Sequence, residues 1–323
     1  MRKPIGTGPL ELALSLASVL AIFWLVNPSA VLGILSSANI PLALAALAAY
    51  FCTMLLMSYR IRMVLAALGE KIGFSESFFA NAAGLLASDF TPARSGYFVT
   101  PFVLSRNSGV PLEHGMVAIV SPQIIEFFLK ACGAAAAIML IVYSFPEFSS
   151  SALFLWLGVG VMLAFCAAMG TALFVPAFIG LARKFSSLPF VLQGCDFLES
   201  LQRHRSGVAR VFPQIIAISS IIFFLKGIEW YLFGLALGIG FSVPAHPFLV
   251  FLLLQPLITV FQFAPFPTIA GIGISEGSAV ASMSLLGVPV ELAIAYTLLV
   301  RAATTALDCV GVPQLLPFVL RKK

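Results

Sequence analysis

Residues 114–143 read HGMVAIVSPQIIEFFLKACGAAAAIMLIVY, with two charged side chains, Glu126 and Lys130. As an α-helix this stretch rises about 45 Å, at about 1.5 Å per residue. The hydrocarbon core of a bilayer is about 30 Å thick. A helix lying on a water-facing surface needs a broad polar face; this one offers a narrow stripe, so it reads as a membrane span. Six more stretches read the same way: 10–35, 40–59, 151–182, 211–240, 247–264 and 289–312. Two others, 74–90 and 265–287, are apolar but irregular.

The composition agrees. Hydrophobic residues make up 60% of the 323 positions and charged residues 10%, against about 45–50% and about 25% in soluble domains. Such a chain cannot cover its own surface in water. It is an integral membrane protein, all-α, with one membrane domain over 1–323. A soluble enzyme, a nucleic-acid-binding domain and a disordered regulator are excluded despite the net charge of +5. The start, Met1-Arg2-Lys3 and then an apolar run, resembles a signal peptide, but the run continues without a small-residue cleavage site; it reads as the first transmembrane helix. Cys52, Cys132, Cys166, Cys195 and Cys309 form no C-x-x-C pair and read as small core residues, not disulfides or metal ligands.

Arg2, Lys3, Arg60, Arg62, Lys71, Arg183, Lys184, Arg203, Arg205 and Arg210 alternate onto one face, and the loops 144–150 and 241–246 carry no Lys or Arg. The basic face, with the N-terminus, is therefore expected in the cytoplasm, for a multi-pass protein of the cell membrane. The longest polar segment, 183–210, places Phe190, Phe197, Leu198 and Leu201 at helical spacing and reads as a cytoplasmic interfacial amphipathic helix. Segment 74–90 carries Glu76, Asn81, Ser88 and Asp89. That is too polar for a lipid-facing span, and it is expected to re-enter, packed inside protein.

Gly109-Val110-Pro111-Leu112-Glu113 recurs as Gly287-Val288-Pro289-Val290-Glu291, 178 residues later. Pro92 to Gly96 precedes the first copy and Pro267 to Gly271 the second. The box itself reads as a helix N-terminus with Pro in the first turn and Glu favourable to the dipole. Its recurrence in matching contexts implies two repeated halves, about 74–143 and 265–312, each with a re-entrant or broken helix, as transporters often have. Their relative orientation stays open, with an inverted second half favoured.

Charges at membrane depth cost about 2.5–3.5 kcal/mol each on insertion scales, so each one needs a reason. Gln123, Glu126 and Lys130 share one helix face, as do Arg301, Thr304, Thr305 and Asp308. Gln255, Thr259 and Gln262 form a third stripe, and Lys226 with Glu229 a fourth. The plain reading is interhelical glue, with Glu126–Lys130 and Arg301–Asp308 as local ion pairs. A hydrated interior for a charged substrate explains four stripes better. In the second irregular segment Gly271 and Gly273 permit close backbone approach, and amides at the next helix start could hold an anion. In the first, Arg94 suits bidentate phosphate contact.

At these residues the sequence resembles the lysylphosphatidylglycerol synthase transmembrane family. The resemblance rests on P-x-R-x-G at 92–96, on P-x-x-x-G-x-G-x-x-E at 267–276, and on the following G-V-P with a mid-helix arginine. It covers nearly the whole chain. It implies translocation of lipids or lipid-linked groups between leaflets without nucleotide hydrolysis, and it points to Arg94, Gly96, Gly271, Gly273, Glu276 and Arg301. Glu126 stands where relatives often carry an acidic residue. Tyr97 departs from the pattern, since relatives usually have Glu there. No aminoacyl transfer is expected, because the chain lacks the synthase's aminoacyl-transferase domain.

The reading is thus a lipid flippase. An anionic phospholipid or a polyisoprenyl-phosphate-linked lipid would contact Arg94, Lys130 and Arg301, with Glu126, Glu276 and Asp308 as counter-ions or proton carriers. No catalytic residue, metal, cofactor or nucleic-acid partner is expected, and the oligomeric state is left open. Two alternatives stand beside it. One is an intramembrane lipid-modifying enzyme, for which His114, His204 and His246 are poorly placed and no H-E-x-x-H occurs. The other is a non-transporting scaffold docking through 183–210.

Overall fold

The computed structural model describes residues 28–89, 91, 96–175, 180, 198–200, 202–262 and 274–320. Among these there is no strand. The helices are α1 (Pro28–Ser36), α2 (Ile40–Ala67), α3 (Phe74–Asp89), α4 (Val99–Ser108), α5 (Leu112–Ser144) and α6 (Ser149–Phe174). They continue as α7 (Arg205–Ala236), α8 (Pro247–Gln262), α9 (Ile274–Leu285), α10 (Val290–Asp308) and α11 (Val312–Leu320). A 3-10 turn, Cys309–Gly311, joins the last two. By length and composition α2, α5, α6 and α7 can cross a membrane, as can the stretch Val290–Leu316.

The most extensive helix pairing is between α2 and α7, and it is antiparallel. At one end the Asn39 amide donates to the Ala236 carbonyl at 2.8 Å, while the Asn39 side chain caps α2 by accepting from the Leu42 amide. At the other end Gly207 lies so close to Ala67 that a Cβ there would sit 2.9 Å from its carbonyl oxygen.

Outside the stripe of Gln255, Thr259 and Gln262, α8 is apolar, with Phe251, Leu254, Leu257 and Ile258 buried, as expected of a helix packed against protein on several sides. Glycines on three neighbours make room for it. Gly133 of α5 faces Pro256, Gly158 of α6 faces Val260, and Gly227 and Gly234 of α7 face Leu252 and Phe251. Close backbone approach at small residues is how membrane helices gain packing energy when lipid is as apolar as the side chains.

Both G-V-P-x-E boxes adopt one local geometry. Gly109 and Gly287 have φ of 69° and 87°, a region open to glycine and strained for other residues. Pro111 and Pro289 then occupy the N-caps of α5 and α10 at (−54°, 134°) and (−56°, 141°), one position ahead of the expected first turn. Glu113 and Glu291 fall in the first turns.

Several boundaries and environments differ from expectation. α2 runs on to Ala67 and carries Arg60 and Arg62 inside the helix. The stretch 74–90, expected to be irregular, is a regular helix through Asp89. Arg205 and Arg210 belong to α7, whereas they were assigned to the interfacial segment; 183–197 of that segment lies outside the described residues. Cys52, Cys132 and Cys309 are exposed, not in the core, and Cys166 is half-buried. A thiol tolerates an apolar surround on either side of a membrane helix, so hydropathy did not separate inward from outward faces.

Gly311 fits against the backbone of α3 at Ala82 and Ala83, leaving no space for a Cβ. Gly160 of α6 faces open space. Gly311→Ala is expected to destabilise the protein by about 1–3 kcal/mol through overpacking. Gly160→Ala should be neutral or stabilising by up to about 1 kcal/mol. Thermal unfolding in detergent measures both.

Candidate functional site

Two apolar clusters divide the bundle. One contains Ala131 to Ile141 of α5, Phe233 of α7 and most of α8. The other contains Ile61 to Leu65 of α2, Val117 to Ile124 of α5, and Val208 and Ile215 of α7. Along α5 the residues between the clusters include Glu126 and Lys130, and along α7 they include Ser219, Lys226 and Glu229. The ionisable groups therefore occupy the interior seam between two greasy blocks.

Among the described residues, Arg60 of α2 is the largest fully buried side chain, 1% exposed. Its Nη1 donates to Ser219 Oγ at 2.7 Å and its Nη2 to Glu126 Oε1 at 2.5 Å. α2, α5 and α7 are thus joined by one guanidinium. Its Nε has no hydrogen-bond partner among the described residues. Lys130 and Lys226 lie within electrostatic range of Glu126. Beside this group the Tyr97 hydroxyl donates to Asn81 Oδ1 at 3.1 Å, and Asn81 is fully buried.

A second group follows. The Tyr50 hydroxyl donates to both carboxylate oxygens of Asp308 at 2.8 Å. Lys226 places its ammonium 4.1 Å from the Tyr50 ring centroid, a cation–π contact. It also pairs with Glu229, one turn along α7, at 2.9 Å. Lys226 thereby connects the Tyr50–Asp308 pair to the neighbourhood of Glu126.

The third group centres on Arg301. Its Nη1 pairs with Glu276 in the first turn of α9. Its Nη2 donates to the Asp89 carbonyl, the last residue of α3, at 3.0 Å. Thr305, one turn on, donates to Asp89 Oδ2 at 2.7 Å. A cation at the C-terminal end of one helix and a carboxylate in the first turn of another both suit the helix dipoles. Arg301 thus joins the end of α3 to the start of α9. The Arg301 side chain is 28% exposed and that of Glu276 12%.

Among the expected site residues, Arg94, Gly271 and Gly273 lie outside the described residues. Gly96 folds back on α3: its amide donates to Thr91 Oγ1, and a Cβ would collide with the Ala87–Ser88 backbone. Glu126 and Lys130 share one neighbourhood, and Glu276 and Arg301 form a pair. Glu126 reaches across to Arg60, with Lys130 in electrostatic range on its own helix, and Arg301 pairs with Glu276 while Asp308 accepts from Tyr50. Thr259 and Thr304 donate to carbonyls of their own helices.

Arg60 was expected on the basic face and is instead inside. The apolar run Met63 to Ala67 beyond it was the available signal: a helix continuing that far puts Arg60 and Arg62 about 200° apart at about 100° per residue. Arg62 is indeed exposed. Tyr50 and Asp89 were missed as partners because nothing in sequence separation links them to residues 308 and 305.

A multi-pass helical bundle with ion pairs enclosed between apolar clusters is a membrane protein built around a polar interior. The chain belongs to the lysylphosphatidylglycerol synthase transmembrane family: the family described as "Lysylphosphatidylglycerol synthase TM region" matches residues 10–310. That places it among membrane proteins concerned with lipids. No curated protein matches it.

Removing one partner of a buried pair leaves an uncompensated charge, at a cost of about 3–5 kcal/mol. Arg60→Ala is expected to destabilise the protein by that amount. Arg60→Met combined with Glu126→Leu should recover most of the loss, since the buried charge is gone. Equal losses in the single and double variants, read from unfolding in detergent, would mean that the pairing is not what Arg60 contributes.

Proposed function

We propose that this protein moves the anionic headgroup of a membrane lipid between leaflets, leaving the lipid's covalent structure unchanged and hydrolysing no nucleotide. The observation that carries this reading is Arg301, a partly accessible cation held between the end of α3 and the start of α9. An incoming phosphate would displace Glu276 from the guanidinium, which suits bidentate contact with phosphate. Exchange of one anion for another keeps the partly accessible cation paired, so the charge is never left uncompensated.

In this reading Lys130 and Lys226 offer the next cations along the seam, with Glu126 and Asp308 as their counter-charges. The lipid tails stay in the bilayer. The chain is read as two repeated halves, about 74–143 and 265–312, each with a re-entrant or broken helix, a plan common in transporters. The protein would sit in the cell membrane with a cytoplasmic N-terminus. Three linked groups of ionisable residues support transport over glue, because charge inside a membrane is costly and marks pathways more often than joints.

The test uses nanodiscs of phosphatidylcholine with equal parts phosphatidylglycerol and undecaprenyl phosphate, followed by native mass spectrometry. Wild type is expected to retain an anionic lipid, and Arg301→Ala to lose it. In vesicles, wild type should accelerate leaflet exchange of a fluorescent analogue of the retained lipid, and Arg301→Ala should slow it at least tenfold. Retained lipid mirroring the bulk mixture would overturn the reading. A changed lipid mass would make the protein an enzyme.

A further inference from the structure

At the end of the bundle where α5 and α7 begin, three elements bring four titratable side chains together. Glu113 and His114 open α5, His204 directly precedes α7, and Glu70 follows α2. His114 Nδ1 lies 2.7 Å from Glu70 Oε1. The His114 and His204 rings meet edge to face, with centroids 4.3 Å apart. His204 Nε2 is 3.9 Å from Glu113 Oε1. One ligand atom from each of Glu113, His114 and His204 falls within 4.8 Å of the others.

We propose that Glu113, His114 and His204 form a site for a divalent transition metal of the zinc class, with Glu70 orienting His114 from outside. The carboxylate on Nδ1 fixes the His114 tautomer and leaves Nε2 as the ligating lone pair, the arrangement that metal-bound histidines adopt. Two imidazoles and one carboxylate suit Zn2+ better than the oxygen-seeking Mg2+ or Ca2+. Three protein ligands leave a fourth position for water or another oxygen ligand. At Zn–N and Zn–O distances of about 2.0–2.2 Å the ligand atoms must draw in by about an ångström. Glu113, whose side chain is 43% exposed, has the torsional freedom to supply that closure.

One observation argues against ordinary surface polarity. In the matching second box, the residue after Glu291 is Leu292, where the first box has His114. The helix start therefore does not require the histidine. Bound metal would clip the starts of α5 and α7 to each other and, through Glu70, to the end of α2.

The experiment takes the full chain in detergent, freed of any affinity tag and stripped with chelator. Zn2+ is titrated in competition with a chromophoric chelator, and Co2+ serves as a visible-band probe of coordination. One Zn2+ per chain is expected, with affinity at least a hundredfold lower in His114→Gln and in His204→Gln. These variants keep volume and hydrogen bonding, and the melting temperature of the metal-free protein checks that they fold. His204→Cys, which restores a ligand atom, should rebind. Glu70→Gln should weaken binding by about tenfold, within the range of outer-sphere partners, and Glu291→Gln should leave it unchanged. No stoichiometric uptake by wild type, or uptake undiminished in His204→Gln, overturns the site.

Discussion

The bundle turns on the enclosed guanidinium of Arg60. A cation in an apolar interior is tolerable when its counter-charge and hydrogen-bond acceptors come with it. Glu126 and Ser219 supply these from two other helices, so α2, α5 and α7 cannot slide or rotate independently without exposing a charge to hydrocarbon. Pairing of α2 with α7, fixed at both ends by Asn39 with Ala236 and by Gly207 with Ala67, holds the register in which that contact is made. The apolar clusters above and below need no such register, since hydrophobic contact is not directional.

Arg301 does for the second part of the chain what Arg60 does for the first, with one difference. Arg60 is closed off, while Arg301 is partly accessible and its partners are helix ends. A fully enclosed pair fixes geometry. An accessible pair at the junction of two helix termini leaves its cation open to other partners. Tyr50 ties Asp308 of α10 to α2 and carries the Lys226 ammonium of α7 over its ring, a further link among helices far apart in sequence.

The fold class and most of the spans were legible because hydropathy integrates over about 20 residues. The 33-residue α5 and the 32-residue α7 carry strong signals of this kind. The G-V-P-x-E boxes were legible too, since a glycine at positive φ and a proline cap are local constraints. Arg60 was misplaced for a related reason. The positive-inside rule reads arginine by its proximity to a span end, and two arginines two residues apart near residue 60 look like a flank until the helix is seen to continue. The partner choices of Glu126, Arg301 and Asp308 were illegible, because spacing along one helix favours i, i+4 pairs and says nothing of which helix stands opposite.

The sequence by itself determined that this chain lives in a membrane as a helical bundle, that polar stripes mark its interior, and that two stretches share a motif. These follow from composition, periodicity and local backbone chemistry, which act over short separations. Tertiary structure decided which charges meet: Arg60 with Glu126, Arg301 with Glu276 and the end of α3, Tyr50 with Asp308, and His114 with His204 and Glu70. Those partnerships depend on the rotation and antiparallel register of helices far apart in sequence. Close packing at glycines sets both, and the high cost of an unpaired charge in hydrocarbon then favours the arrangement in which these groups meet.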